Sequence, residues 1–399
     1  MKYLITILIG ISSCLVSQEP AKPRICGNII DAETREPIAN ANIFISNSSI
    51  GTASDKNGYF ELRNLFYGRY EIIATVIGYE VLNAKIGIYN NDRRNLRFEM
   101  YKQPIQLPEV IVSAKGSWKR KRNLSRFRKA LLGTSQNGKK SYITNEDVIR
   151  FKNDIHGMLI AYADEPIKIV NHSLGYDIHY VLEDFELSSG YVKYTGYPHF
   201  IEKTATTYHD SVDWFENRRE TYLGSFRHFL TTICENYELT GGDTTKRSMV
   251  FKWGDAIRHN VKVTYGDISH IEEQGFYVLQ IDSLKNIRKR ANNPYEVKPI
   301  PLGTRQLVNT NCFLKETDNP NEMYLKFDGS LEVTYNNDQF PFGNKDDSKG
   351  RSWITIIGDS TILDKQGRYF DIYAIKTSGL WSKERVADVL PFDYTIGEE

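Results

Sequence analysis

The sequence predicts a mainly β, α+β protein: an N-terminal β-sandwich followed by a larger β-rich α+β domain. Three observations carry this. Residues 24–99 break into short alternating segments with a turn every 8–12 residues or so, the signature of a sandwich. Residues 133–399 hold many more such segments around one strongly helical stretch, Trp214–Ile233. Tyr 25 and Phe 19 enrich the chain in residues that favour sheets, and 399 residues give room for two cores.

The amino terminus reads as an export signal. Lys2 precedes an apolar run from Tyr3 to Ile11, with Ser12 and Ser13 behind it. Cleavage after Ser17 removes residues 1–17. Alternatively, Ile11-Ser12-Ser13-Cys14 acts as a lipobox, residues 1–13 are lost and Cys14 carries a lipid. Either route predicts an exported protein, periplasmic or associated with the outer membrane. No later stretch approaches the roughly 18 apolar residues of a membrane helix. The formal net charge is +1 and Lys2 is the leader's one charged side chain, so the remaining chain is neutral and has no global attraction for nucleic acid. Cys26, Cys234 and Cys312 are far apart and odd in number, which argues against a disulfide scaffold.

In the first domain, strands are expected over Ile25–Ile30, from Ile38 through Ile45, Tyr59–Leu62, Tyr70–Ile77, Ile86–Tyr89 and Leu96–Met100. Asp55, Asn57 and Gly58 supply a tight turn in which Gly58 takes a positive φ. Gly27, Asp31, Pro37, Ala41, the run from Asp55 to Phe60, Leu65-x-x-Gly68-x-Tyr70 and Gly78-Tyr79 together resemble the carboxypeptidase-regulatory-like, or prealbumin-like, domain at the front of many exported Bacteroidetes proteins. That resemblance implies a sandwich and an accessory role, with no activity attached. Relatives often place this domain before a TonB-dependent receptor, and the remaining chain is too short for such a barrel.

Residues 100–132 read as a linker and a basic amphipathic helix. Pro104 and Pro108 bar helix, Val110–Val112 suits an edge strand, and Lys115–Lys129 carries eight cations and no acid. Leu124, Phe127 and Leu131 form the apolar stripe. Such a helix either docks that stripe on the protein or makes peripheral contact with an anionic membrane through residues 115–131.

The second domain, residues 133–399, is read as strands over Met158–Ala163, Ile167–Asn171, from Tyr176 to Glu183 and Tyr191–Tyr194, after which the chain leaves the sheet. The central helix 214–233 then presents Phe215, Tyr222, Phe226, Phe229, Leu230 and Ile233 as one stripe, capped by Asp213, with Gly224 marking a close backbone approach. Further strands follow from Val261, and a short helix from Trp381 to Leu390 ends the pattern. The segments from Asn171 to Leu187, Trp214 to Leu230 and Trp381 to Tyr394 resemble uncharacterised Bacteroidetes proteins that share the same front domain, a likeness that carries no activity.

The chemistry-bearing motifs are thin. His199-x-x-Glu202 lacks a third ligand for zinc, Asp55-x-Asn57 lacks the distal acid of a calcium loop, and no phosphate loop or serine elbow occurs. No catalytic, metal or cofactor residue is therefore assigned, and the expected role is binding or assembly toward an envelope protein or extracellular polymer. Tyr176, His179, Trp214, Arg218, Arg219 and His228 are the expected contact residues, rings for stacking and Arg forks for anions. Two rival readings stand beside this one. A hydrolase acting on glycan or peptide needs a cleft joining two or more of His179, His199, Glu202, Glu216, Glu220 and His228, and a small outer-membrane barrel needs a continuous outward apolar band.

Overall fold

The computed structural model describes residues 22–89, 94–103, 118–153, 157–188, 191–240, 257–265, 268–288, 297–308, 310–337, 351–371 and 373–396. The expected leader with Cys14, the Val110–Val112 strand and the start of the basic run at Lys115 lie outside these residues.

The N-terminal sandwich consists of β1 (Ile25–Asp31), β2 (Asn42–Ile45), β3 (Gly51–Ala53), β4 (Tyr59–Leu62), β5 (Gly68–Thr75), β6 (Leu82–Ile88) and β7 (Arg94–Met100). One sheet runs β4-β1-β7 and the other β3-β2-β5-β6; β1 is antiparallel to β4 and parallel to β7. Alternation sends Ile25, Ile29, Ile43, Phe60, Ile72 and Ile88 into the space between them. The expected turn is present: Asp55 Oδ1 accepts from the Asn57 and Tyr59 N–H groups, and Gly58 sits at φ +73°. A Cβ there would lie 2.4 Å from the Ile29 carbonyl oxygen, so glycine is required twice over.

A second core begins with α1 (Trp118–Leu132) and α2 (Gln136–Lys139), then β8 (Ser141–Ile143), β9 (Ile149–Asn153), β10 (Leu159–Ala163), β11 (Ile167–Asn171), β12 (Tyr176–Leu187) and β13 (Val192–Glu202). The sheet order is β8-β11-β12-β10-β9, with β13 on β12. Leu124, Phe127 and Leu131 of α1 bury themselves against this sheet, Phe127 lying 4.6 Å from Phe185 between ring centroids. The apolar stripe is thus consumed inside the protein. Insertion of residues 115–131 into a membrane by that stripe is ruled out for the described part, 118–131, while Lys119, Lys121, Arg122 and Lys129 remain on the exposed side.

The sequence reading ended this sheet at Tyr194, whereas β13 continues to Glu202. Pro198 is tolerated because β13 is an edge strand and its missing N–H breaks no ladder on the outer side.

The predicted central helix 214–233 is two helices, α3 (Tyr208–Tyr222) and α4 (Phe226–Thr240). Gly224 breaks the continuity at φ +76°, and a Cβ on it would meet the Tyr335 ring at 2.7 Å. Its glycine therefore serves a left-handed backbone and not a close packing of a continuous helix. The start also lies earlier than expected. Thr207, not Asp213, is the N-cap, forming a capping box with Asp210.

The third core joins α4 to β14 (Ile257–Tyr265), β15 (Ile268–Arg288), β16 (Val297–Leu307), β17 (Leu314–Glu316), β18 (Glu322–Leu325), β19 (Ser330–Asn337), β20 (Arg351–Ile356), β21 (Thr361–Asp364) and β22 (Ile375–Gly379). The large sheet runs β14-β15-β19-β20-β22 with β16 also on β15; a small one runs β17-β18-β21. Phe229, Leu230 and Ile233 fill the centre with Phe276, Leu331 and Trp381. The expected terminal helix is two 3₁₀ turns, Trp381–Lys383 and Val386–Asp388. Among the described residues every sheet is open and has at most six strands, short of the eight that a closed membrane barrel needs at minimum. No described helix is long and apolar enough to cross a membrane. Cys26 and Cys234 are buried thiols and Cys312 an exposed one, none in a disulfide.

Candidate functional site

The turn between β2 and β3 docks the sandwich on the rest of the chain. Asn47 N–H donates to the Pro198 carbonyl at 2.8 Å, Phe200 N–H to the Ser48 carbonyl at 3.0 Å, and Phe392 N–H to the Asn47 carbonyl at 2.7 Å. The Asp393 carboxylate receives both the N–H and the hydroxyl of Ser49. Phe44 stacks on His199 at 4.8 Å and joins Ile73, Val181 and Tyr197 in a small buried cluster. Burial, together with nearby His179, holds the His199 imidazole down at about 4, so it packs as a neutral ring.

Beside this junction the three cores enclose an open cleft of about 2530 Å³. β13 and β12 form one wall with Tyr180, Tyr194 and Tyr197; α1 contributes Arg126 and Lys129; β5 and β6 contribute Arg69, Tyr70 and Lys85; the segment from Tyr369 to Phe392 closes the far side. Five acids line the cleft and each is held by the protein itself. Glu71 accepts from Asn83, Glu183 from the Thr195 hydroxyl, Asp371 from Tyr373 N–H, Asp388 from Ser135 and Asn137, and Glu384 from Phe226 N–H. Burial, reinforced by Asp388, pushes the Glu384 carboxyl up to about 8 against that last hydrogen bond. Tyr369, close by, is pushed up to about 12 by burial.

The cations divide differently. Arg69 pairs with Glu322 at 2.7 Å, Lys193 with Asp184 at 3.0 Å and Arg368 with Asp364, while Arg227 donates to the carbonyls of Pro391, Phe392 and Tyr394. Lys85, Arg126, Lys129, Lys376 and Lys383 line the same cleft and make no ion pair or side-chain hydrogen bond among the described residues. Eleven Lys and Arg side chains line the cleft against five acids, so the charge of its lining is positive.

The six residues expected from sequence lie elsewhere. Trp214, Asn217 and Arg218 share one face of α3 and donate in turn to three successive carbonyls of the β11–β12 turn: Trp214 to His172 at 3.0 Å, Asn217 to Ser173 at 3.0 Å and Arg218 to Leu174 at 2.8 Å. Arg218 also bonds Glu202 at 2.6 Å and lies 4.3 Å over the Tyr176 ring, which is itself buried. Arg219 is half-buried on the same helix. His179 is half-buried on β12 near His199, and burial, with Lys168 beside it, lowers its pKa. His228 is fully buried in the third core, its Nδ1 accepting from Gly224 N–H at 3.0 Å and its ring against Tyr222 and Phe276. The Arg–Trp pattern is a clamp on a turn whose carbonyls lack a ladder partner, and these six do not form one open face.

None of His179, His199, Glu202, Glu216, Glu220 and His228 lines the cleft. His199 and Glu202, the H-x-x-E pair, face different partners: Phe44 and Arg218. Among the described residues no three His, Cys, Asp or Glu side chains gather as a metal would need. Sequence reasoning missed Glu384, Arg126, Lys129 and the Tyr369–Phe392 segment, which converge only through tertiary packing. The one advance signal was the absence of acids from the basic helix.

The seven strands between Ile25 and Met100 form two facing sheets and define a β-sandwich; residues 25–112 hold it. More particularly, they match the family model described as CarboxypepD_reg-like domain, so the chain carries an N-terminal domain of that kind. No curated protein sequence matches the chain. Among solved structures, it is similar to a cohesin–X-dockerin complex of Acetivibrio cellulolyticus (22% identity, 20% of this chain, 58% of that one, TM-score 0.18). It is also similar to the major pilin subunit of Bacillus cereus (18% identity, 21% and 31% covered, TM-score 0.19). A third is a putative membrane-associated protein of unknown function from Bacteroides fragilis (12% identity, 41% and 67% covered, TM-score 0.16). The chain spans 58% and 31% of the first two structures' length, and at these TM-scores no likeness carries an argument about role.

Proposed function

We propose that the chain is a non-catalytic cell-envelope protein that recognises a partner in the cleft between the sandwich and the two later cores. One observation carries this reading: eleven cations line the cleft against five acids, and five of those cations make no ion pair or side-chain hydrogen bond among the described residues. Groups left unpaired at the wall of a large concavity suit a ligand that supplies their counter-charges. The apolar leader from Tyr3 to Ile11 supports export, and the sandwich acts as a docked wall of the site. The test places a photo-crosslinking residue at Lys376, in the cleft, or at Tyr208, an exposed residue of α3, in producing cells. An adduct in the envelope fraction from position 376 and none from 208 is expected; equal labelling from both overturns the reading.

Glu384 favours a second reading, a hydrolase acting on glycan or peptide. A carboxyl pushed up to about 8 beside Tyr369 has the protonation a general acid needs at neutral pH. Its neighbour Asp388 is tied to Ser135 and Asn137, so the partner carboxylate is occupied. Under the recognition reading Glu384→Gln leaves binding intact and raises thermal stability most at pH 8–9 or so. The sign follows from a raised pKa: between about 4.5 and 8 the unfolded carboxyl ionises while the folded one stays protonated, and stability drains away as pH rises. Loss of a measurable glycan- or peptide-cleaving activity on the same substitution would move the hydrolase ahead.

A further inference from the structure

Two unpaired strand edges face the cleft. Tyr191 through Pro198 line it as eight consecutive residues, and so do all five residues of β22. Side chains alternate between the two faces of a strand, so a concavity that touches every residue in turn reaches the edge as well as a face. In an antiparallel strand the N–H and C=O of one residue point to the same side, and the side alternates. The Pro198 carbonyl and Phe200 N–H point away from β12, where they bond the 46–49 turn. The same alternation puts the N–H and C=O of Tyr194 and Gly196 on that outer edge, further along and inside the cleft. On β22, the Ala374 carbonyl and Leu380 N–H bond toward the β20 side, so Ile375 and Thr377 present their backbone groups on the opposite edge. Among the described residues no strand pairs with either edge.

We infer that the cleft captures an extended, acidic polypeptide segment, which adds as a strand to the free edge of β13. The inference rests on the recognition reading and names its ligand class. An exposed edge offers a template of donors and acceptors that a peptide backbone matches and a polysaccharide does not. The five unpaired cations select negative side chains on the incoming strand. Part of the aromatic surface is taken up by the protein itself. Lys193 sits 5.0 Å over the Tyr373 ring, Tyr89 folds over Gly87 with ring atoms within 2.6 Å of where a Cβ would stand, and Tyr180 and Tyr197 are buried. Tyr89, Tyr191 and Tyr373 keep exposed ring surface on the cleft wall, which polygalacturonate tests.

The test measures binding of the full mature chain to a fluorescein-labelled peptide of alternating Glu and Thr, about eight residues long to span the edge. The same peptide N-methylated at alternate residues and polygalacturonate serve as comparisons. The expected result is binding of the plain peptide, loss of about tenfold or more in affinity on N-methylation, and a similar loss in the Lys129→Glu, Lys376→Glu double variant, both sites being exposed. Slower amide exchange at Tyr194 and Gly196 in the complex places the peptide on β13. If polygalacturonate binds as well as the peptide, or N-methylation changes nothing, strand addition is overturned while the cleft stays a recognition site. If neither binds, both the ligand class and the cleft reading fall.

Discussion

His199 shows what a single side chain contributes at the junction. It is neutral and stacked, with Gly51 so close that a Cβ there would come within 2.4 Å of its Nε2. Its folded pKa, about 4, lies below the model-peptide value of 6.5. Between those two values the unfolded chain binds a proton that the folded chain refuses, so stability falls as pH drops through the window. The groups facing it are His179, the Ser49 backbone and Asp393. Stability should decline by about 2 kcal/mol between pH 7 and pH 5 from this residue alone. Urea unfolding of the native chain and of His199→Gln at both pH values measures it; an equal decline in the two proteins would assign the effect to other groups.

At the level of elements, the break between α3 and α4 is the clearest case. Gly224 combines a positive φ with the Tyr335 ring at its back, and its carbonyl accepts from Trp381 Nε1 at 2.8 Å. Gly224→Ala is expected to cost about 3 kcal/mol, from backbone strain and displacement of that ring together. A loss of unfolding free energy in urea below about 1 kcal/mol would mean the turn relaxes. The sequence carried the sandwich strands, the Asp55–Gly58 turn and the stripe of α1, because each follows from local period or turn chemistry. The helix break was hidden because Phe215, Tyr222, Phe226, Phe229 and Ile233 are all buried, on two helices instead of one, and spacing alone cannot see φ. The site was hidden for a different reason. Trp214 and Arg218 stand out in a sequence whether they bind a ligand or clamp a turn, and only the positions of the His172 and Leu174 carbonyls decide between the two.

Across the whole molecule, docking of the sandwich is held by backbone and side-chain hydrogen bonds, the Phe44 cluster and, among the described residues, an ion pair between Arg69 on β5 and Glu322 on β18. The carboxylate is almost completely buried and the guanidinium partly exposed, at 2.7 Å. Breaking one partner strands a buried charge, so Arg69→Met should destabilise by about 2 kcal/mol, while Arg69→Met with Glu322→Leu should recover most of the loss. Denaturation of the four proteins in the cycle measures the coupling; additive losses would show the pair to be incidental. The same cycle checks that the sandwich and the third core unfold together, since the coupling appears only if both leave the native state in one transition.

The captured 46–49 turn also sets an order of events. The sandwich's own contacts close within its first hundred residues or so, but the groups that receive its turn, at residues 198–200 and 391–393, emerge from the ribosome much later. Contacts of such long sequence separation form last in folding, because the loop they close is costly until everything between is in place. A chain stalled before residue 391 would therefore carry a finished sandwich with its turn still waiting, and would be distinguishable by protease from one that had reached Asp393.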